Sequence, residues 1–492
     1  MIHLLLAACT SPSSPPPPAA PCAEAEVPYD GLDDDCDPAT PDDDLDADGL
    51  THATDCDDAH PRIGAAVDGI ATITGDLLGP DVPHLCDGSC GLAVTGSVSI
   101  AQTDLDDLDD LDCLRSVGGA LEIGGFVYST YDEEPRGNRY LASVGGLAGL
   151  RTVGGELLVA GNPRLTSLDG LEGLEGVGAV RLVSNASLAS VEGLRAIHGE
   201  VGHLRIESNE ALTSLRGLEG VDTVRDAARI VDTPVASLDG LQGLRSAYGL
   251  WLQDTGLRSL EGLEQLAALG YVHVEDNAAL ETLAGLDPLA SIEEGVTLRG
   301  NPSLRSLVGL GVLATGYAIE DNDALTTLAG LEGLTTPDSL TIAGNAALVS
   351  VEALRGVRIV GGLGIVGNDS LGSLAGLEGL ESVDRGASIT DNPLLATLAG
   401  LDGLVHVEQD LVLIGNSGLV SCAGLEGLRS IGRDLNVQSN EVLTDLGALA
   451  GLTSVGGSVT VVANPALGDA AAQAVVDQID SVGGPVNISD NH

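Results

Sequence analysis

The side chains best placed by type and spacing to do chemistry lie near the N-terminus. Asp44, Asp46 and Asp48 alternate, Gly49 follows, and Asp55 comes after a further five residues. Alternate carboxylates at this spacing converge on one hard cation, Gly49 permits the sharp turn, and Leu50 would offer a backbone carbonyl. The expected ion is Ca2+. Asp55 stands where such loops usually carry the longer Glu, which makes bidentate closure harder and binding weaker. No amphipathic helix flanks the loop. The competing reading is an acidic linker whose carboxylates repel one another and stay disordered without metal.

A second candidate set recurs at intervals of 22 to 24 residues: Arg181, Arg205, Arg229, Trp251 and His273. Side by side, three guanidinium forks and an aromatic face suit a carboxylate, a sulfated or sugar ligand, or an acidic partner. Glu207 and Glu275 lie two residues beyond Arg205 and His273. The bland reading is therefore a row neutralised by its own carboxylates, with Trp251 covering a shallow spot.

Catalytic signals fail one by one. Gly362, Gly364 and Gly367 have the dinucleotide spacing, yet no helix opens after them, and 67 Gly make chance matches common. H-E-x-x-H, G-x-S-x-G and P-loop patterns are absent, the nine His are scattered, and 73 acidic residues make any carboxylate pair undiagnostic. No catalytic residue is assigned, and the chain reads as a non-enzyme. A net charge of −52, with all 21 cationic side chains Arg, argues against nucleic acid, because a phosphate backbone must be met by basic surface.

The element that must position the Arg–Trp–His set is a repeat. A clear copy runs Leu435-Asn-Val-Gln-Ser-Asn440-Glu-Val-Leu443-Thr-Asp-Leu446. Its frame is an L-x-I/V-x-x-N strand, a Leu, then S/T-L-x-G-L-x-G-L and V-G-G. The Asn recurs from Asn162 to Asn464 with a period of about 21 to 24 residues, and Thr103, Thr233 and Thr255 take its place in three copies. Such a period means a solenoid, in which each unit buries its apolar side only against its neighbours. About 16 rungs are expected, a rod on the order of 75 Å at ~4.8 Å per strand. In L-x-I the outer pair points inward and the middle residue outward. The outward row then reads Leu158, Arg181, Arg205, Arg229, Trp251, His273, Thr297, Ala318, Thr341. Asn185 and Asn368 match glycosylation sequons but belong to the inward Asn column.

The repeat resembles the leucine-rich-repeat superfamily, and most closely its receptor L-domain type, over most of residues 95 to 491. The resemblance implies a mainly β, parallel solenoid with one strand per rung. It also implies a surface that recognises a protein or glycan, or else a spacer with no dedicated ligand. Residues 30–64, with Asp33-Asp-Asp-Cys36-Asp37 and Asp55-Cys56-Asp-Asp58, resemble the Asp/Cys-rich metal-binding motifs of bacterial surface proteins. Leu6-Ala-Ala-Cys9 resembles a bacterial lipobox, which implies lipidation of Cys9, export, and contact with a membrane through the anchor alone. The apolar run Ile2–Ala8 is short and lacks a basic start, so a longer signal is expected.

The organisation expected is a signal and lipobox (1–9), a Pro/Ser/Ala-rich tether (10–29), the calcium segment (30–64), a Cys-containing cap and first rung (65–113), the repeats (114–467, with an insertion at 126–137), and a capping helix with a last strand (468–492). Cys422 replaces a repeat Leu and reads as a free core thiol. Cys22, Cys36, Cys56, Cys86, Cys90 and Cys113 read as up to three disulfides whose pairing the sequence leaves open. The insertion carries Tyr128, Tyr131, Asp132, Glu133 and Glu134 and is either a binding loop or plain surface.

Overall fold

The computed structural model describes residues 70–78, 86, 91–128, 133–289, 291–310 and 314–491. The calcium-loop residues Asp44, Asp46, Asp48, Leu50 and Asp55 lie outside the described residues. So do Cys9, Cys22, Cys36, Cys56, Cys90, Tyr131 and Asp132.

Alternation inside the repeat strand decides the architecture. In Leu435–Gln438 the first and third residues are buried and the second and fourth half-exposed, and the same pattern recurs in Val459–Val462, Leu411–Ile414 and Ser339–Ala343 with its own offset. Stacked copies pair in parallel, one residue opposite its counterpart a repeat later, as in Leu411 with Leu435 and Val437 with Val461. The result is a mainly β parallel solenoid of about 17 turns, with one α-helix among the described residues, near the C-terminal end. On a second side, short strands from Ile359–Val360 to Ser481–Val482 form a six-stranded parallel sheet built from the V-G-G part of the frame.

One turn shows what holds the stack. Leu250, Leu252, Leu257, Leu260, Leu263, Leu266 and Leu269 are all at most 2% exposed. Each contributes roughly 1.5–3 kcal/mol of burial before entropy, but only because the turns above and below supply the apolar neighbours. Gly262 shows why Gly recurs after Leu: its φ is +109°, and a Cβ there would stand 2.7 Å from the Leu238 carbonyl carbon and oxygen. The acid two residues on has a local task as well. Glu264 accepts the Gly262 N–H at 2.8 Å, as Glu332 does for Gly330 and Glu426 for Gly424.

The Asn column is a buried ladder, with Thr233 and Thr255 standing in for Asn in two successive turns. Asn277 donates its side-chain amide to the carbonyls of Leu252 (3.0 Å) and Glu275 (2.9 Å), and its Oδ1 accepts the Thr255 N–H at 3.1 Å. These are the backbone groups that leaving the strand would strand without partners. Asn138 and Asn491 extend the ladder at either end. Asn185 and Asn368 are fully buried members of it.

At the N-terminal end Cys86 and Cys113 form a disulfide with Cα atoms 5.4 Å apart. Cys422 is a free, fully buried thiol, pushed up to about 12 by burial and by nearby Asp445 and Glu426. The helix Asp469–Val476 buries Ala472 and Val476 ahead of the last strand, Val486–Ser489.

Candidate functional site

Register brings the Arg–Trp–His residues together. Arg181 lies opposite Arg205, Arg205 opposite Arg229, Arg229 opposite Trp251, and Trp251 opposite His273. The row continues through Thr297, Ala318 and Thr341. Parallel strands ~4.8 Å apart leave planar side chains in this row little choice but to stack. The Arg229 guanidinium sits 4.2 Å from the centre of the Trp251 ring. His273 covers the other side of that ring, with centroids 5.0 Å apart and planes at 34°. Trp251 therefore offers a ligand its edge, not its face, and its Nε1–H donates to Gln253 at 3.3 Å.

At the other end of the row Phe126, the first residue of the insertion, lies on the sheet. Phe126 packs on Leu158, Ala160 and Val183, three outward residues that are nonetheless buried. The Arg181 guanidinium lies 4.3 Å above the Phe126 ring. Phe126 begins an antiparallel hairpin, Phe126–Tyr128 with Glu133–Pro135, placed between the strand Leu121–Gly124 and its ladder residue Asn138.

Charge within the row is partly answered from inside. The Glu207 carboxylate stands 2.6 Å from Nε of both Arg205 and Arg229, and its side chain is only 12% exposed. Glu275 is more distant, 3.9 Å from His273 Nδ1. Beside the row, His203 Nε2 meets Glu156 at 2.8 Å. That hydrogen bond, with the charges of His203, Arg181 and Arg205, holds the Glu156 carboxyl below its usual range despite partial burial. Arg205 Nε donates to Glu207 at 2.6 Å, whereas Arg229 Nε lies as close to that carboxylate without forming a hydrogen bond, so Arg229 is held by charge and by its stack on Trp251.

The sheet has a second outward column, two residues earlier in each strand, that reading only the middle of L-x-I misses. It is mostly small: Ala227, Gly249, Gly295 and Gly316 lie in successive registers around one bulky member, Tyr271. Tyr271 packs edge-on to His273 (5.1 Å) and to Tyr248 (5.7 Å). Tyr248 donates its hydroxyl to Glu294. Past this aromatic cluster both outward columns turn small at once, and a groove of about 530 Å³ opens, lined by Trp251, Tyr271 and His273 at one end and by Thr297, Ala318 and Thr341 beyond.

Among the described residues, no group of three or more His, Cys, Asp or Glu is arranged to hold a metal ion. Likewise, none of their helices is long and apolar enough to cross a membrane. Gly362, Gly364 and the start of the dinucleotide-like pattern lie in the strand Gly362–Val366, where no helix N-terminus is offered to a phosphate.

No family model and no curated protein matches the sequence. Among solved structures, a leucine-rich-repeat protein of Leptospira interrogans is similar at 15% identity, over 80% of this chain and 95% of its own, with a TM-score of 0.29. The leucine-rich-repeat-like character of this chain rests on its own strand ladder and Asn column.

Proposed function

We propose that this is a recognition protein whose ligand, a surface protein or a glycan, lies on the outward face of the long sheet across Arg181, Arg205, Arg229, Trp251 and His273. An LRR-type solenoid is a general interaction scaffold, since stacking leaves one long, ordered side wall for display. The observation that carries the reading is concentration. In a chain of net charge −52 and a single Trp, three Arg, that Trp and a His occupy five consecutive registers of one row.

The reading extends to the N-terminal segments as sequence supports them. Cys9 is proposed as a lipid anchor of an exported protein, residues 10–29 as a tether, and residues 30–64 as a Ca2+-binding segment using Asp44, Asp46, Asp48, Leu50 and Asp55. A display rod held off a membrane is what such an order of parts would make.

The test is a binding screen of the whole protein against surface-protein and glycan panels, with Arg205→Ala/Trp251→Ala alongside. Recognition expects a hit that the double variant loses. A spacer expects no hit, or a hit indifferent to the double variant. Calorimetric titration of the whole protein with Ca2+, repeated with Asp46→Asn/Asp48→Asn, tests the metal segment; absence of heat at millimolar Ca2+ removes it.

A further inference from the structure

The geometry points to a neutral sugar ring as the occupant of the groove beyond His273, an assignment that rests on the sheet face being a recognition surface. The stack along the row ends there. Phe126, Arg181, Arg229, Trp251 and His273 supply plates or forks in order, and the next residue, Thr297, is too small to cover the far side of the imidazole. Ala318 follows Thr297 in the row, and Gly295 and Gly316 lie beside them in the second column. Both columns are therefore low over neighbouring rungs, and a ring-sized body set down here would continue the stack.

The far end of this trough is bounded. Arg385 donates from Nη2 to the Asp338 carbonyl, and its guanidinium runs 3.7 Å from where a Cβ on Gly362 would stand. Along one lip, Glu294, Thr315 and Asp338 precede the strand residues Gly295, Gly316 and Ser339, which are consecutive in register. The two carboxylates are thus two rungs apart, roughly 10 Å, with a hydroxyl between them.

The chemistry of the lining selects the class. Glu294 and Asp338 accept hydrogen bonds, while Thr297, Thr315, Ser339 and Thr341 both donate and accept. Among the described residues the lining carries two carboxylates and no Arg, and Arg385 at the far end donates to the Asp338 carbonyl, so the groove favours an uncharged ligand over an anion that suits the Arg end of the row. Vicinal hydroxyls donate to carboxylates and accept from hydroxyls, and the C–H face of a pyranose suits Ala318 and the Thr methyls. An extended peptide gains nothing comparable, because the groove lies on a sheet face where backbone groups are already paired, not at an edge. At about 530 Å³ the space falls within the range of small-ligand sites, about 300–1,000 Å³.

The experiment is calorimetry on the whole protein with neutral cello-, malto- and manno-oligosaccharides, with oligogalacturonate as the anionic arm and spermine as the cationic arm. Ala318→Trp fills the groove without touching the Arg row; Asp338→Asn removes one acceptor and leaves the shape. Far-UV circular dichroism confirms that each variant is folded. The expected result is binding of at least one neutral oligosaccharide, weakened at least tenfold by Ala318→Trp, weakened by Asp338→Asn, and unchanged by Asn436→Ala/Thr460→Ala, a pair far along the ladder from the groove. Silence from every neutral saccharide overturns the proposal. So does groove-dependent binding of spermine alone, or saccharide binding indifferent to both Ala318→Trp and Asp338→Asn. A ligand lost in Arg205→Ala/Trp251→Ala but kept in Ala318→Trp overturns the groove assignment while leaving the recognition face standing.

Discussion

Removing one rung of the Asn ladder, by Asn277→Ala, should cost far more than an ordinary surface Asn. Asn277 is fully buried, and its side chain serves five groups: the Thr255 N–H, the Thr255 hydroxyl, the carbonyls of Leu252 and Glu275, and the Asn301 side-chain oxygen. Truncation leaves the Thr255 N–H with no acceptor at its former 3.1 Å contact. A buried donor left unsatisfied costs about 1–3 kcal/mol. Two carbonyls that lose a donor and a small polar void bring the expected loss to roughly 3–5 kcal/mol. The loss is local, because a solenoid's turns are coupled only to their neighbours and need not unfold together. The only Trp, Trp251, stands one rung away, in the strand Ser246–Gln253 that pairs with Ala268–Glu275. Urea titration followed by Trp251 fluorescence should therefore show a transition well below that of the wild type, and below the variant's own far-UV circular dichroism transition. Superimposed fluorescence curves for wild type and Asn277→Ala, or a loss under about 1 kcal/mol, would refute the ladder's energetic role.

Two further outcomes follow from charge. Asp232, Asp254 and Asp276 occupy equivalent left-handed positions in successive turns, with φ of 47°, 51° and 55°. Partial burial, then the charges of Asp276 and Asp232, push the Asp254 carboxyl above its usual range. Its ionised form is thus disfavoured in the fold: the penalty sets in as pH rises through the raised pKa and is absent below the ordinary Asp range. Asp254→Asn, which tolerates the same backbone, should gain a few tenths of a kcal/mol at neutral pH after solvent screening; the gain should vanish in acid, and thermal melts at the two pH values measure it. Glu156 has the opposite sign. Its carboxyl is held low chiefly by the His203 hydrogen bond, so its contribution is complete above the ordinary Glu range and disappears as pH falls through the lowered pKa. Glu156→Gln should flatten that acid limb by up to about 1 kcal/mol, read from melts across the same range.

Much of this was legible because a solenoid translates sequence period into spatial neighbourhood. Residues 22 to 24 apart became residues side by side, so the Arg181–His273 row could be written down from the L-x-I frame alone. Cys422 as a buried thiol followed from its alignment with Leu398 and Leu446. What escaped did so for physical reasons. Phe126 lies in an insertion, where the period is broken and no register predicts that it will cover Leu158 and support Arg181. Tyr271 was in plain sequence but in the second outward column, whose mostly Gly and Ala members conceal its meaning until the groove beside it is seen. The recurring acid of L-x-G-L-x-G looked like undirected negative charge, yet Glu264, Glu332 and Glu426 each hold a turn N–H. Stacking also changed the chemistry of a residue correctly placed: Trp251 is covered by Arg229 and His273, so its edge and neighbours, not its face, meet a ligand.

The most direct measurement compares two pairs of outward side chains on the same ladder. Arg205→Ala/Trp251→Ala alters the dense half of the row, while Asn436→Ala/Thr460→Ala alters an equivalent pair in register near the C-terminal end. For whichever surface protein or glycan the wild type captures, the first pair should weaken affinity by at least tenfold, about 1.4 kcal/mol, and the second should leave it unchanged. Equal effects from the two pairs, or none from the first, would contradict the assignment of this face to recognition.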